Sequence, residues 1–547
     1  MSQEIRGDLE WGNIPGLVRS SAERFADREA VVDRPVTLTF ADLALAVERA
    51  ARATIASGLE PGDRFAVWAP NIHEWIVAAL GAISAGGVLV PINTRFKGPE
   101  AGYVLGKSGA RVLFTVDRFL DTDYVGLLRN DLGGPKDDRP VAGLEALETV
   151  VLLRGDGLEG SVLWERFLEG GDAVPETDAV RRADSVGPED LSDIIFTSGT
   201  TGRPKGVMTT HGQTLRVFEV WSRIVGLTEG DRYLVVNPFF HTFGYKAGFL
   251  AAIMRGAVTI PHAVFDAPSV LERIEGERVT VLPGPPTLYQ SILNHPDRAR
   301  YDLSSLRLAV TGAAVVPVEL IRQMSDELTF DTVLTAYGLT ESTGTATMCR
   351  PGDDAETIAM TSGRAIPDTE IRVVDDDGRP VTPGNPGEVV IRGYNVMTGY
   401  FEEPEQTGES VDANGWLHTG DIGVMDDRGY LRITDRKKDM FIVGGFNAYP
   451  AEIENALLGH PAVAQAAVVG APDERLGETG VAFVVPRTGT EIDPDELISW
   501  SRDRLANYKV PRHIEVVDAL PMNASGKVLK YELRERAAGL GAGRGVT

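Results

Sequence analysis

The first 350 residues of this chain alternate short apolar runs with longer helical patterns, and that alternation constrains the fold more than any other feature. The runs include FAVWAP (65–70), VLVPIN (88–93), RVLFTV (111–116), DIIFTS (193–198) and RYLVVNPFF (232–240). A strand, a helix and another strand in that order close most readily as a crossover over one sheet face. The expected architecture is therefore α/β, a large N-terminal domain of mostly parallel sheets with helices. Residues 130–190 are poorer in such runs, and GGPKDDRP (133–140) reads as an exposed loop.

The texture changes twice more. After about residue 365, short alternating strands such as EIRVV (370–374) and GEVVIRG (387–393) predict a β-rich subdomain reaching to about 435. The acidic turn between them, DDDGRP (375–380), reads as a solvated hairpin tip rather than a metal site. From about Lys438 a small, mobile α+β domain is expected. Its first helix starts at YPAEIENALLG, with Pro450 at the first helical position and Gly459 at the stop. AVAQAAVVG and GVAFVVP follow as strands, and DPDELISWSRDRLA makes a second helix with acids in its first turn. The predicted division is 1–435, a hinge at 436–438, and a lid over 439–547.

Charge and cysteine content narrow the function. The 54 basic and 79 acidic side chains leave a net charge of −25, the opposite of a nucleic-acid footprint. Acidity of this size reads as solubility. A single cysteine, Cys349, leaves no internal disulfide framework and no multi-cysteine metal site. The uncharged run Ile76–Ile92 is broken by Pro91 and is rich in Ala and Gly, as a buried helix running into a buried strand would be. The opening MSQEIRGDLEWG lacks an apolar h-region. The expectation is a soluble cytoplasmic protein without membrane insertion.

The strongest chemical signal is the ten-residue stretch Thr197, Ser198, Gly199, Thr200, Thr201, Gly202, Arg203, Pro204, Lys205, Gly206, directly after an apolar strand. Glycines let backbone N–H groups approach oxygen, hydroxyls donate, and cations offset charge, so this composition suits a polyphosphate. It is not a Walker A loop, since G-x-x-x-x-G-K-[ST] is absent. Nor does Ser525-Gly526-Lys527 make one, because Pro521 stands at the glycine position and Val528 replaces Ser/Thr.

TSGTTGRPKG resembles the phosphate loop of the adenylate-forming superfamily, which holds acyl-CoA synthetases, luciferases and peptide-synthetase adenylation domains. Four more landmarks follow in the family's order: YGLTE (337–341), WLHTGD (416–421), DRKKD (435–439) and PMNASGK (521–527). The resemblance covers essentially the whole chain. It implies ATP, Mg²⁺ and coenzyme A as reactants and cofactor. Thr197 and Glu341 would hold Mg²⁺, hard oxygen donors for a hard cation, with Thr340 beside them in the catalytic group. Tyr337 and Gly338, with Gly312, Ala313 and Ala314, would line the adenine slot. Asp421 and Arg436 would take the ribose. Lys527 would bridge ribose, phosphate and acyl oxygen, and Lys438 would be the hinge.

On the acyl side, Phe240, His241, Phe243 and Tyr245 suit a greasy slot ending in a polar group. Gly444 and Gly445 resemble the loop that borders the pantetheine tunnel. Phe446 departs there from the glutamate many members carry. Only about twenty residues follow Lys527, which favours free CoA over a carrier domain as acceptor. The implied activity is ATP-dependent acyl-CoA ligation. NPFFHTFGYKAG, VLPGPPTLYQSIL, TVLTAYGLTE and MCRPGDDA resemble the bacterial steroid-catabolism branch, which activates a methylated hexahydro-indanedione propanoate. A medium-chain fatty acyl-CoA synthetase and a carrier-loading adenylating enzyme are the alternatives.

Overall fold

The computed structural model describes the chain except for residues 1–5, 137–138, 198–203, 313–315, 437–438, 444–445, 474–475, 503, 506, 523–527 and 542–547. An eight-stranded sheet organises the N-terminal half. From one edge to the other its strands are Gly399–Tyr400, Lys205–Thr210, Leu191–Thr197, Val88–Pro91, Arg64–Trp68, Val112–Val116, Thr149–Arg154 and Val162–Leu163. The six from Leu191–Thr197 onward run parallel, and the two at the other edge are antiparallel. Strands buried on both faces need apolar residues at every position, not alternate ones. Val88–Pro91 and Val112–Val116 are buried throughout. Thr149–Arg154 lies in the stretch read as poor in strands; it is a full member of the sheet, its four central residues buried.

The uncharged run at 76–92 is a helix, His73–Ser84, that leads into the strand Val88–Pro91. Every residue of that helix after His73 is buried. Among the described residues no helix is long and apolar enough to cross a membrane.

A second sheet has the order Arg232–Val235, Val258–Pro261, Glu29–Asp33, Val36–Thr39, and its first three strands are parallel. Bridges through Val281 join Tyr233 to Leu308, so this sheet continues into Leu308–Gly312 and Thr332–Tyr337, which are parallel to each other. Only Arg232–Val235 of the run 232–240 is strand; the rest turns out towards a short helix at Thr242. Next comes a four-stranded antiparallel sheet, Thr369–Val374, Pro386–Gly393, Leu417–Met425 and Leu431–Arg436. The acidic stretch at 375–380 is a tight turn, with Gly378 at φ +75° where a side chain would be strained.

The C-terminal sheet is built on the long antiparallel pair Val463–Asp473 and Gly477–Pro486. Alternation along these strands feeds two separate apolar cores. One holds Val468, Ala482 and Val484 against the helix Pro450–Leu458. The other holds Ala467, Val469 and Phe483 against Leu533 and Ala537 of the helix Lys530–Gly541. The period-two rule thus sends neighbouring residues to opposite helices.

Candidate active site

The polyphosphate-like loop closes a hairpin. Thr197 ends one strand and pairs in register with Lys205, which starts the next. The loop residues Ser198, Gly199, Thr200, Thr201 and Gly202 lie outside the described residues. Gly206 sits where a Cβ would meet Ile194 Cγ2 at 2.7 Å, so the hairpin packs too tightly for a side chain there. Beyond the hairpin, Thr210 caps the helix His211–Ile224 in a capping box with Gln213. The Gln213 amide also donates to Val396 O at 2.6 Å, tying that helix to the segment leading to Tyr400.

Tyr400 was not singled out by sequence, and it joins two residues that were. Its hydroxyl donates to Glu341 Oε1 at 3.1 Å. The Lys205 ammonium lies 4.9 Å from its ring centroid, a cation–π distance. Burial first, and then the Glu341 charge, push the phenol well above its ordinary value, so it is a donor at neutral pH. Thr340 and Glu341 occupy a single 3₁₀ turn, Thr340–Ser342, just past the strand Thr332–Tyr337. Gly338 makes the turn possible: a Cβ there would lie 2.4 Å from Gly344 O. Glu341 and Thr197 offer a carboxylate and a hydroxyl, hard oxygen donors that fit Mg²⁺. They are linked through Lys205 and Tyr400.

The other half of the site forms where the two sheets meet the β-rich subdomain. Tyr337 ends its strand, and its hydroxyl donates to Asp421 Oδ2 at 2.6 Å. Asp421 is buried and pairs in register with Arg436 across two antiparallel strands, which brings both ribose candidates to one place. Gly312 ends the neighbouring parallel strand opposite Ala336, and a Cβ on it would meet Ala336 O at 2.9 Å. Ala313, Ala314, Lys438, Gly444, Gly445 and Lys527 lie outside the described residues.

On the acyl side, His241 accepts a hydrogen bond from Phe243 N at 3.2 Å, and burial pushes its pKa to about 4, so the imidazole is neutral. Phe240 is buried and Phe243 half-buried. Tyr245 is fully buried in an aromatic cluster with Trp75, Phe239 and Phe249. Among the described residues, neither Tyr245 Oη nor Trp75 Nε1 has a hydrogen-bond partner.

Tyr245 opens a wide π-type turn, Tyr245–Leu250, and the next residue, Lys246, is fully buried. Its ammonium meets Asp193 Oδ1 at 2.9 Å and Thr209 Oγ1 at 2.7 Å, and Ser192 donates to the other carboxylate oxygen at 2.7 Å. Asp193 and Thr209 belong to the hairpin strands, so this satisfied ion pair fixes the segment that carries Phe240, His241, Phe243 and Tyr245 to the hairpin. Sequence reasoning missed it, because a lysine in an aromatic run carries no sign of its partner.

A separate cluster, Asp33, His73 and Glu74, has metal-ligand chemistry. The guanidinium of Arg154 donates to both carboxylates at 2.7 Å and so supplies the cation itself.

The AMP-binding enzyme family model matches residues 18–401 of this chain. The chain belongs to the AMP-binding enzyme family. The model of the AMP-binding enzyme C-terminal domain matches residues 452–527. Like this family member, two relatives run nearly end to end. A ligase of Rhodococcus jostii named for 3-[(3aS,4S,7aS)-7a-methyl-1,5-dioxo-octahydro-1H-inden-4-yl]propanoyl and CoA is 49% identical over 525 residues, 95% of this chain and 98% of its own. A ligase of the same name from Mycobacterium tuberculosis is 50% identical over 522 residues, again 95% and 98%. Among solved structures, the o-succinylbenzoate CoA synthetase of Bacillus subtilis, in complex with its acyl-adenylate intermediate, is 29% identical. It superposes with a TM-score of 0.78 over 95% of this chain and 97% of its own.

Proposed function

We propose that this AMP-binding enzyme is an ATP-dependent acyl-CoA ligase acting on the methyl-dioxo-octahydroindenyl propanoate left when steroid rings are opened. The observation that carries the reading is identity near one half, over almost the full length, to two ligases named for that acid.

A carboxylate is a poor acyl donor. Its oxygen attacks the α-phosphorus of ATP, pyrophosphate leaves, and the CoA thiol then displaces AMP from the acyl carbon. Both steps turn on charge at phosphate, so positioned cations and donors do most of the work. Mg²⁺, when bound, supplies Lewis-acid neutralisation of the phosphate oxygens. Thr197 and Glu341 would hold it. Tyr337, Gly338 and Gly312, with Ala313 and Ala314, would bound the adenine. Asp421 would accept from the ribose and Arg436 would donate to it. Lys205 would meet the phosphates, and Lys527 the oxyanion of the first step. His241, neutral, would sit at the acyl slot with Phe240 and Phe243. Lys438 would turn the C-terminal unit to bring Gly444 and Gly445 to the thiol.

The test is pyrophosphate release and CoA thioester formation on a panel of acids. It comprises the bicyclic dione propanoate, the same bicycle without ketones, octanoate and palmitate. The dione acid is expected to show the highest kcat/KM. Faster turnover of octanoate would replace this reading with a medium-chain synthetase. Adenylation without thioester formation would favour a carrier-loading enzyme.

A further inference from the structure

We propose that Tyr400 is a positioning residue for the adenylation step, holding the Glu341 carboxylate where a metal can use it. The inference rests on the ATP-dependent reading above and concerns a residue outside the five motifs that carry the family resemblance. Tyr400 has little freedom of its own. Its strand pairs with the hairpin strand through Val207 and Met208, its N–H donates to Thr407 Oγ1 at 2.9 Å, and its side chain is buried.

From that fixed place the hydroxyl reaches Glu341 Oε1, while the peptide carbonyl of Glu341 accepts from Met397 N at 2.8 Å. The segment 397–400 therefore grips Glu341 at its backbone and at its carboxylate. Ser410 also lies beside the phenol. A glutamate carries three rotatable bonds, and one held this way has already lost the freedom a ligand would otherwise take from it. One hydrogen bond leaves the carboxylate ample acceptor capacity, because an ionised carboxyl offers about four lone-pair sites. The same ring seats the Lys205 ammonium on its face. A single aromatic side chain thus sets the spacing between the site's anion and one of its cations, which explains a tyrosine rather than a phenylalanine or a leucine.

The experiment compares wild type with Tyr400→Phe, which keeps ring and strand and removes only the oxygen. Calorimetry with α,β-methylene-ATP, across a Mg²⁺ titration and without acid substrate, reads metal-linked binding apart from turnover. The expected result is a rise of roughly 10- to 100-fold in the Mg²⁺ concentration needed, as for other residues that orient a metal ligand. Binding of the analogue in EDTA should be unchanged. Tyr400→Leu should in addition weaken binding in EDTA, because Lys205 loses its seat. Adding Tyr400→Phe to Glu341→Gln should produce no further loss. Unchanged Mg²⁺ dependence in folded Tyr400→Phe would overturn the proposal, as would a full further loss in the Glu341→Gln background. Thioester formation by the wild type reports separately on the ligase reading.

Discussion

At the scale of single residues, protonation and charge follow from who is buried beside whom. His211 is buried, its Nδ1 accepts from Ile14 N at 3.2 Å, and burial pushes its pKa from 6.5 to about 4. Asp193 and Asp190 oppose that fall and Lys246 adds to it. Between pH 6.5 and about 4 the unfolded chain holds a proton at this site that the folded chain does not. Stability therefore falls as pH drops through that window, by about 2 kcal/mol between pH 7 and pH 5. Urea midpoints at the two pH values should show a smaller acid loss in His211→Gln than in the wild type. Equal losses would rule the histidine out as the source. Lys527 makes a different prediction. If, as proposed, its ammonium is the cation the first half-reaction needs at the attacked phosphate, Lys527→Ala should slow adenylation by about 10²–10³. Thioester formation from supplied acyl-AMP should survive. Pyrophosphate release at the wild-type rate would dismiss the assignment.

Elements in this protein meet at points that tolerate no extra atoms. The turn from the strand Thr332–Tyr337 into the Glu341 turn passes so close to Gly344 that a Cβ on Gly338 would overlap its carbonyl oxygen. Neither atom can rotate away, since the oxygen is backbone and the backbone fixes where a Cβ lies. Gly338→Ala should cost about 1–3 kcal/mol in urea unfolding, the usual range for overpacking. Because the strain falls on the turn that carries Glu341, binding of Mg²⁺ with α,β-methylene-ATP should weaken in the protein that remains folded. A variant with unaltered stability would show that the backbone moves aside at no cost. The hairpin at 191–210 is pinned differently. Its register is set by strand pairing on one side and by the Asp193–Lys246 ion pair beneath it. Breaking a buried pair from one side leaves an uncompensated charge, so these two residues hold the hairpin against the Tyr245–Leu250 turn.

Across the whole molecule, the two proposed half-reactions ask for different partners around one carboxyl group, the first at the α-phosphorus its oxygen attacks and the second at its carbon. In the proposed cycle Lys527 would serve the first, and the 444–447 loop the second. A rotation about Lys438 would reconcile them, because a hinge absorbs domain motion in a few backbone dihedrals. Proline there locks φ near −65° and forbids one of the two settings. Lys438→Pro, assayed separately for acyl-AMP formation and for CoA thioesterification, should keep most of the first and lose the second. Equal loss of both, or of neither, would remove the hinge.

Sequence alone determined the α/β class, the β-rich subdomain after residue 365 and the α+β texture of the C-terminal unit. Each rests on local periodicity, which the chain carries without any partner. It also brought out the hairpin loop and the glutamate, aspartate and lysine motifs, because their residue types are unusual together at short range. The strand Thr149–Arg154 was legible only weakly, being a lone apolar run in a polar stretch. Tertiary structure alone decided that Tyr400 joins Lys205 to Glu341, 59 residues away, and that Lys246 is neutralised by Asp193. It likewise decided that Tyr337 donates to Asp421. Those pairings depend on which strands lie side by side, and strand order is set by long-range packing that no local window of sequence contains.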